Sequence, residues 1–273
     1  VTRLVTQEND FPCGDVDIVV AFADWRRHGG LAFPYQVELI WEGVVLHRET
    51  RERIEVNPPL DEAAFVLPAT RPFDPALAER GLFNEQWIHR ATAMGAPISL
   101  DAGEVVTVAI TPDVVTFGGG IHHSLAVALE SGVVVVDPPQ HEDRSLAVIK
   151  AVTARWPDKP ISHSILSHHH YDHSGGIRAY AAIGAELVIA EGDRDFVTQC
   201  LARPHTISPD TLAGTAARPT IRTVGDNGLS LGGGAIEVHR ISSPHCAENL
   251  VVYVAGPKLL FNADLFNPGL VPA

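Results

Sequence analysis

The chain has 273 residues, 45% of them hydrophobic, enough to bury a sizeable core without disulfide staples and to form one or two domains. Its formal net charge is −13 and no basic stripe interrupts it, which argues against a groove that tracks nucleic-acid phosphates. Cys13, Cys200 and Cys246 stand far apart with no CxxC pair, against a zinc ribbon or disulfide scaffold, and no apolar run reaches the ~20 residues of a membrane helix.

Residues 1–70 alternate in short segments, Asp17 to Ala23, Tyr35 to Trp41, Val44 to His47 and Glu52 to Val56, punctuated by Gly29-Gly30, Gly43 and Pro58-Pro59. Alternation between turn signals predicts antiparallel β-structure, too short and open for a complete domain. Residues 71–102 read as a linker with one helix that Pro75 starts. From residue 103 strands are predicted over Val105 to Ile110, Val114 to Phe117, Leu125 to Leu129 and Val133 to Val136. The last is apolar on both faces, as a strand buried inside a sheet must be. A helix over Glu142 to Trp156 follows, then a strand Ile161 to Leu166, a helix Gly176 to Ala182, a strand Leu187 to Ala190 and a helix Asp193 to Leu201. This βαβ order predicts an α/β fold with parallel strands. Gly232-Gly233-Gly234 reads as a hairpin turn before strands near Ala235 to Ile241, Leu250 to Val254 and Leu259 to Phe261.

The chemistry concentrates in Ser167-His168-His169-His170-Tyr171-Asp172-His173-Ser174-Gly175-Gly176, directly after an apolar strand. Ligands bind beyond the carboxyl ends of strands in open α/β sheets. Alternate residues point the same way, so His168 and His170 can share one metal while His169 points off. After a turn, Asp172 and His173 can serve a second. Imidazole and carboxylate donors suit zinc, with manganese, iron or cobalt also served by such a set.

His168-x-His170-x-Asp172-His173 resembles the HxHxDH signature of the metallo-β-lactamase superfamily, and the resemblance extends over roughly residues 103–273. It implies an αββα sandwich holding two zinc ions between its sheets. It also implies that His245, in Ser243-Pro244-His245, completes the first metal site, and that Asp264, in Asn262-Ala263-Asp264, bridges both metals. The family often has Gly where Ala263 stands. Its last ligand is a histidine beyond the bridging Asp, and none follows Asp264 here, so the second site is expected to lack a protein ligand and the chain is read as truncated at its C-terminus. Asp137 resembles the family's Asp beneath the site, which orients a metal-ligand histidine. His122 and His123 lie in a hairpin loop that rims the site in this fold, as substrate contacts or as surface residues. Cys246 and Tyr171 are read as packing neighbours.

By resemblance, the function is metal-dependent hydrolysis, in which a metal-bound hydroxide attacks a β-lactam, lactone, ester or amide carbonyl of a small molecule and Asp172 acts as the catalytic residue. Two other readings stay open: a mononuclear iron oxygenase acting on thiols or persulfides, and a metal-binding envelope module without turnover. Gly30 to Pro34 and Val56 to Asp61 resemble closing strands of lipoprotein-carrier-like β-domains of the cell envelope, which implies a periplasmic or secreted parent protein, with a cytoplasmic one as the alternative. Nothing in the sequence fixes the oligomeric state.

Overall fold

The computed structural model describes residues 1–10, 12–66, 103–119 and 122–265. The linker helix expected within 71–102 lies outside the described residues. The chain divides into two compact units, Val1–Asp10 with Asp15–Arg80, and Phe11–Gly14 with Gly81–Ala273.

The first unit is one sheet in the order β1 (Arg3–Asp10), β2 (Gly14–His28), β3 (Leu31–Trp41), β4 (Val44–Thr50). β2 and β3 run antiparallel from Ile18 opposite Trp41 to His28 opposite Leu31. Their two-residue link is Gly29-Gly30, at φ 56° and 83°. Positive φ at both central residues matches the twist of the strands, which is why glycine sits there. The strand expected over Glu52 to Val56 does not form. Thr50 pairs with Gln36, and Arg51 N still donates to Tyr35 O. The next partner along β3 is Pro34, which has no N–H, so the ladder ends. Val56 to Asp61 is likewise irregular rather than a strand.

The second unit holds two sheets. The larger has seven strands, β5 (Val106–Thr111), β6 (Val114–Gly118), β7 (Ser124–Leu129), β8 (Gly132–Val136), β9 (Ile161–Ile165), β10 (Glu186–Ala190) and β11 (Thr220–Val224). The first four form an antiparallel meander, and β8 to β11 are parallel. The parallel steps cross over through α1 (Glu142–Arg155), through α2 (Tyr171–Ser174) with α3 (Ile177–Ala182), and through α4 (Arg194–Ala202). The smaller sheet is an antiparallel run of β12 (Leu229–Leu231), β13 (Ile236–Ile241), β14 (Asn249–Val254) and β15 (Leu259–Phe261), with Gly232–Gly234 as the turn between β12 and β13.

Two apolar cores explain the all-apolar strands. Val133 and Val135 of β8, with Leu187 and Ile189 of β10, face Val148, Val152, Ile177 and Tyr180 of the helices. Val134, Val136, Val188 and Ala190 face Ile236, Val238, Leu250 and Val252 of the smaller sheet. Each fully buried valine contributes about 1.5–3 kcal/mol of apolar burial, so both faces of β8 and β10 are strongly specified. Helices, large sheet and small sheet stack in that order, the described layers of an αββα sandwich. Among the described residues no helix is long and apolar enough to cross a membrane.

Candidate metal centre

The chain enters the site from β9. Ser167 N donates to Asp137 Oδ1 at 2.8 Å, and Leu250 N, from β14, donates to Ser167 O at 2.7 Å. The segment then runs extended through His168 to His170. His170 O accepts from His173 N and Ser174 N at 3.0 and 2.9 Å, which starts α2 and turns Asp172 and His173 back toward the first two histidines. This turn is packed tightly. A Cβ on Gly175 would collide with Gln140 O, and one on Gly176 with Ser145 Oγ. Both glycines are required by close approach rather than by unusual torsions.

All six residues expected as ligands converge. His168 Nε2 lies 3.0 Å from His170 Nδ1 and 3.1 Å from His245 Nε2. Asp264 Oδ2 lies 3.1 Å from His173 Nε2, 3.3 Å from His245 Nε2 and 3.9 Å from His168 Nε2, between the two sets. Asp172 Oδ2 is 3.9 Å from His173 Nε2. Ala263, before the bridging carboxylate, has φ 47°. In that left-handed region alanine costs ~1–2 kcal/mol more than glycine, the residue it replaces in the family pattern.

A layer of bonds holds these groups. His173 donates through Nδ1 to Asp137 Oδ2 at 2.8 Å, and Ser167 Oγ is 3.1 Å from His168 Nδ1. Asp137 follows β8 at φ 62°, which Asp tolerates better than most residues. Asn249 Nδ2 donates to Ser243 Oγ at 3.1 Å and to Cys246 O at 2.6 Å, fixing the loop that carries His245. His169 turns away as expected, with its Nδ1 3.0 Å from Asp193 Oδ1 and 3.6 Å from Cys246 Sγ. All three cysteines are free and buried.

The electrostatics suit a cation. Burial pushes His168 down to about 3, aided by His173, so it is neutral at pH 7. Burial and the neighbouring His245 lower His170 too. For Asp172, burial works against ionisation, but His122 and His173 hold the carboxyl below its usual range, and Asp264 is depressed through the same opposition of burial and His173. His173 is the counterpart: burial disfavours its charge, yet Asp137 and Asp264 raise it to about 10. Burial, with Asp172 beside it, pushes the Tyr171 phenol up to about 12.

The residues fit a divalent ion on one further observation. His173 Nε2 is buried and makes no hydrogen bond, although Asp264 is within ion-pair distance. With Nδ1 committed to Asp137, Nε2 is the nitrogen left to donate to a metal. His168, His170 and His245 offer ligand atoms all within 4.8 Å of one another, and so do His168, His173 and Asp264. Sequence reasoning left His122 as a rim residue. The fold places its Nε2 3.0 Å from Asp172 Oδ2, and His122, Asp172 and His173 make a further convergent trio. Two histidines away from the centre have structural partners: His141 accepts from Arg144 N at the start of α1, and His163 pairs with Glu186.

The chain resembles two solved structures, a metallo-beta-lactamase from Pontibacter korlensis (20% identity, 58% of this chain and 71% of that one, TM-score 0.46) and a metallo beta lactamase from Hirschia baltica (17% identity, 58% and 70%, TM-score 0.45). No curated protein sequence matches significantly. The profile of the Metallo-beta-lactamase superfamily matches residues 117–272, more than half the chain and all of the candidate metal centre. The chain therefore belongs to the metallo-β-lactamase superfamily.

Proposed function

We propose that this chain is a hydrolase using two zinc ions to cleave a carbonyl-containing small molecule, a β-lactam, lactone, ester or amide. The observation that carries the reading is the convergence of three imidazole nitrogens, with His168 Nε2 at 3.0 and 3.1 Å from those of His170 and His245, beside the His173, Asp172 and Asp264 set. Bound zinc supplies Lewis acidity and lowers the pKa of coordinated water to about 7.

The chain's own residues divide the remaining work. His168 and His170, held neutral by burial, present lone pairs without first losing protons. Asp264 stands between the two sets and supports them together. Asp172 stays ionised at neutral pH and takes the role of orienting the attacking water or accepting its proton. Divalent cations held there would neutralise the local carboxylates, which fits the acidic charge of the chain. The resemblance of the N-terminal β-unit to envelope carriers supports an exported parent protein.

The test is metal content per chain together with turnover on a chromogenic cephalosporin, a homoserine lactone and an aryl ester. The expected result is close to two zinc equivalents and hydrolysis of at least one substrate, with activity lost in Asp172→Asn and metal lost in His168→Ala. Iron in place of zinc with oxygen consumption, or no metal at all, overturns the reading.

A further inference from the structure

We infer that His122 is a protein ligand of the second metal set, joining Asp172, His173 and Asp264. The inference rests on the metal-dependent reading above and extends it to a residue from a distant hairpin.

Four observations carry it. First, His122 Nε2 lies 3.0 Å from Asp172 Oδ2, the same separation that His168 Nε2 keeps from His170 Nδ1 in the first set. Two donors that each sit about 2.0–2.1 Å from one tetrahedral zinc ion stand roughly 3.3 Å apart, so both pairs lie within a few tenths of an ångström of that edge. Second, His122, Asp172 and His173 offer ligand atoms that all lie within 4.8 Å of one another, and the His122 ring meets that of His173 edge-on at 4.7 Å between centroids. Third, His122 is held on the same support as the other ligands. Two residues on, Ser124 is fully buried and its hydroxyl donates to Asp137 O at 2.7 Å. That same Asp137 accepts from His173 and from Ser167 N, so the hairpin and the histidine loop are fixed to one residue. Fourth, His122 brings the group around Asp172 to two imidazoles and one carboxylate, with Asp264 Oδ2 beside it at 3.1 Å from His173 Nε2. Three protein donors that leave one position open are the usual complement of a catalytic zinc ion.

The rival role for His122 is as a hydrogen-bond donor that merely steers Asp172. Metal binding separates the two, because a steering residue leaves both metal sites with their full donor sets.

The experiment starts from chelator-treated full chain. Zinc and cobalt are titrated by calorimetry, with elemental analysis after desalting, for the wild-type chain, His122→Ala and His168→Ala. The expected result is two equivalents in the wild type, while His122→Ala keeps the first and binds the second ~100-fold more weakly or worse, beyond the usual cost of losing an outer-shell partner. The retained first equivalent shows that the variant is folded. As a readout that needs no variant, wild-type chain with 15N-labelled histidine is loaded with two equivalents of 113Cd, and a cadmium–nitrogen coupling is expected at His122. Two tight equivalents in His122→Ala, one equivalent in the wild type, or no coupling at His122 overturns the assignment and leaves the first set standing. No metal in the wild type overturns the hydrolase reading itself.

Discussion

Asp137 Oδ2 accepts a hydrogen bond from His173 Nδ1 at 2.8 Å while its Oδ1 accepts from Ser167 N at 2.8 Å, so one buried carboxylate sets both the ring of a metal-facing histidine and the backbone leading to His168. Asp137→Asn keeps the shape and the tolerance of left-handed torsion but removes the charge. It is expected to weaken metal binding at the His173 set by about 10–100-fold, read by competition with a fluorescent chelator. Asp137→Ala also leaves buried donors unmet at φ 62° and is expected to destabilise the chain by roughly 3–5 kcal/mol in urea unfolding.

The stability of chelator-treated protein should depend on pH in two limbs. His168 falls from 6.5 to about 3 on folding, so the unfolded chain binds more protons between these values. Stability from this neutral, buried ring is complete above 6.5 and declines as pH drops toward 3. His173 rises from 6.5 to about 10, so its contribution is complete below 6.5 and declines as pH climbs through 10. Melting temperature against pH therefore peaks near neutrality, and zinc removes the alkaline limb because a ligating nitrogen carries no proton. A chelator-treated chain whose melting temperature stays flat from pH 6.5 to 10 contradicts this assignment.

Zinc binding should also release protons at pH 7.5, since His173 stays protonated below about 10 until the ion displaces its proton. Calorimetry in buffers of different ionisation enthalpy measures the number directly, and an observed enthalpy independent of buffer contradicts the prediction.

Gly176→Ala places a methyl against Ser145 Oγ and is expected to destabilise by about 1–3 kcal/mol, the usual range for overpacking. Gly184→Ala is the contrast. Its left-handed torsion, φ 82°, brings strain but no neighbour lies within 4 Å, so it should leave metal affinity unchanged where Gly176→Ala lowers it.

Asp193→Asn breaks the ion pair that holds His169 away from the centre. The metal content is expected to stay at the wild-type value, because His169 lies off both ligand sets. Loss of an equivalent would mean that His169 supports His170 more directly than its orientation indicates.

Much of the centre was legible because its donors are local. His168, His170, Asp172 and His173 follow an apolar strand with a spacing that alternation and one turn explain, and Val133 to Val136 announced a strand covered on both sides. His245 and Asp264 came from resemblance, since no local pattern joins them to a site 77 residues away in the case of His245. His122 was read only as far as the rim of the site, not to its contact with Asp172: it is 50 residues away, and only the meander into β8 brings the two together. The strands that escaped prediction are those with weak local signals. β1 is mostly exposed and polar, β11 carries Arg222 within five residues, and β12 spans three. Conversely, Glu52 to Val56 has the alternation of a strand but meets Pro34, a restriction visible only once register is known.

The hydrogen bond from Leu250 N to Ser167 O joins the smaller sheet to the larger one a single residue from His168. His168 follows β9, whereas His245 belongs to the loop ahead of β14, so an ion held by both would act as a removable rivet across the seam of the sandwich. Its loss would free the margin of one sheet from the other and leave both cores in place. Amides at the start of β14 should then exchange with solvent faster than those of β8, and the chain would sense the metal supply through its own stiffness.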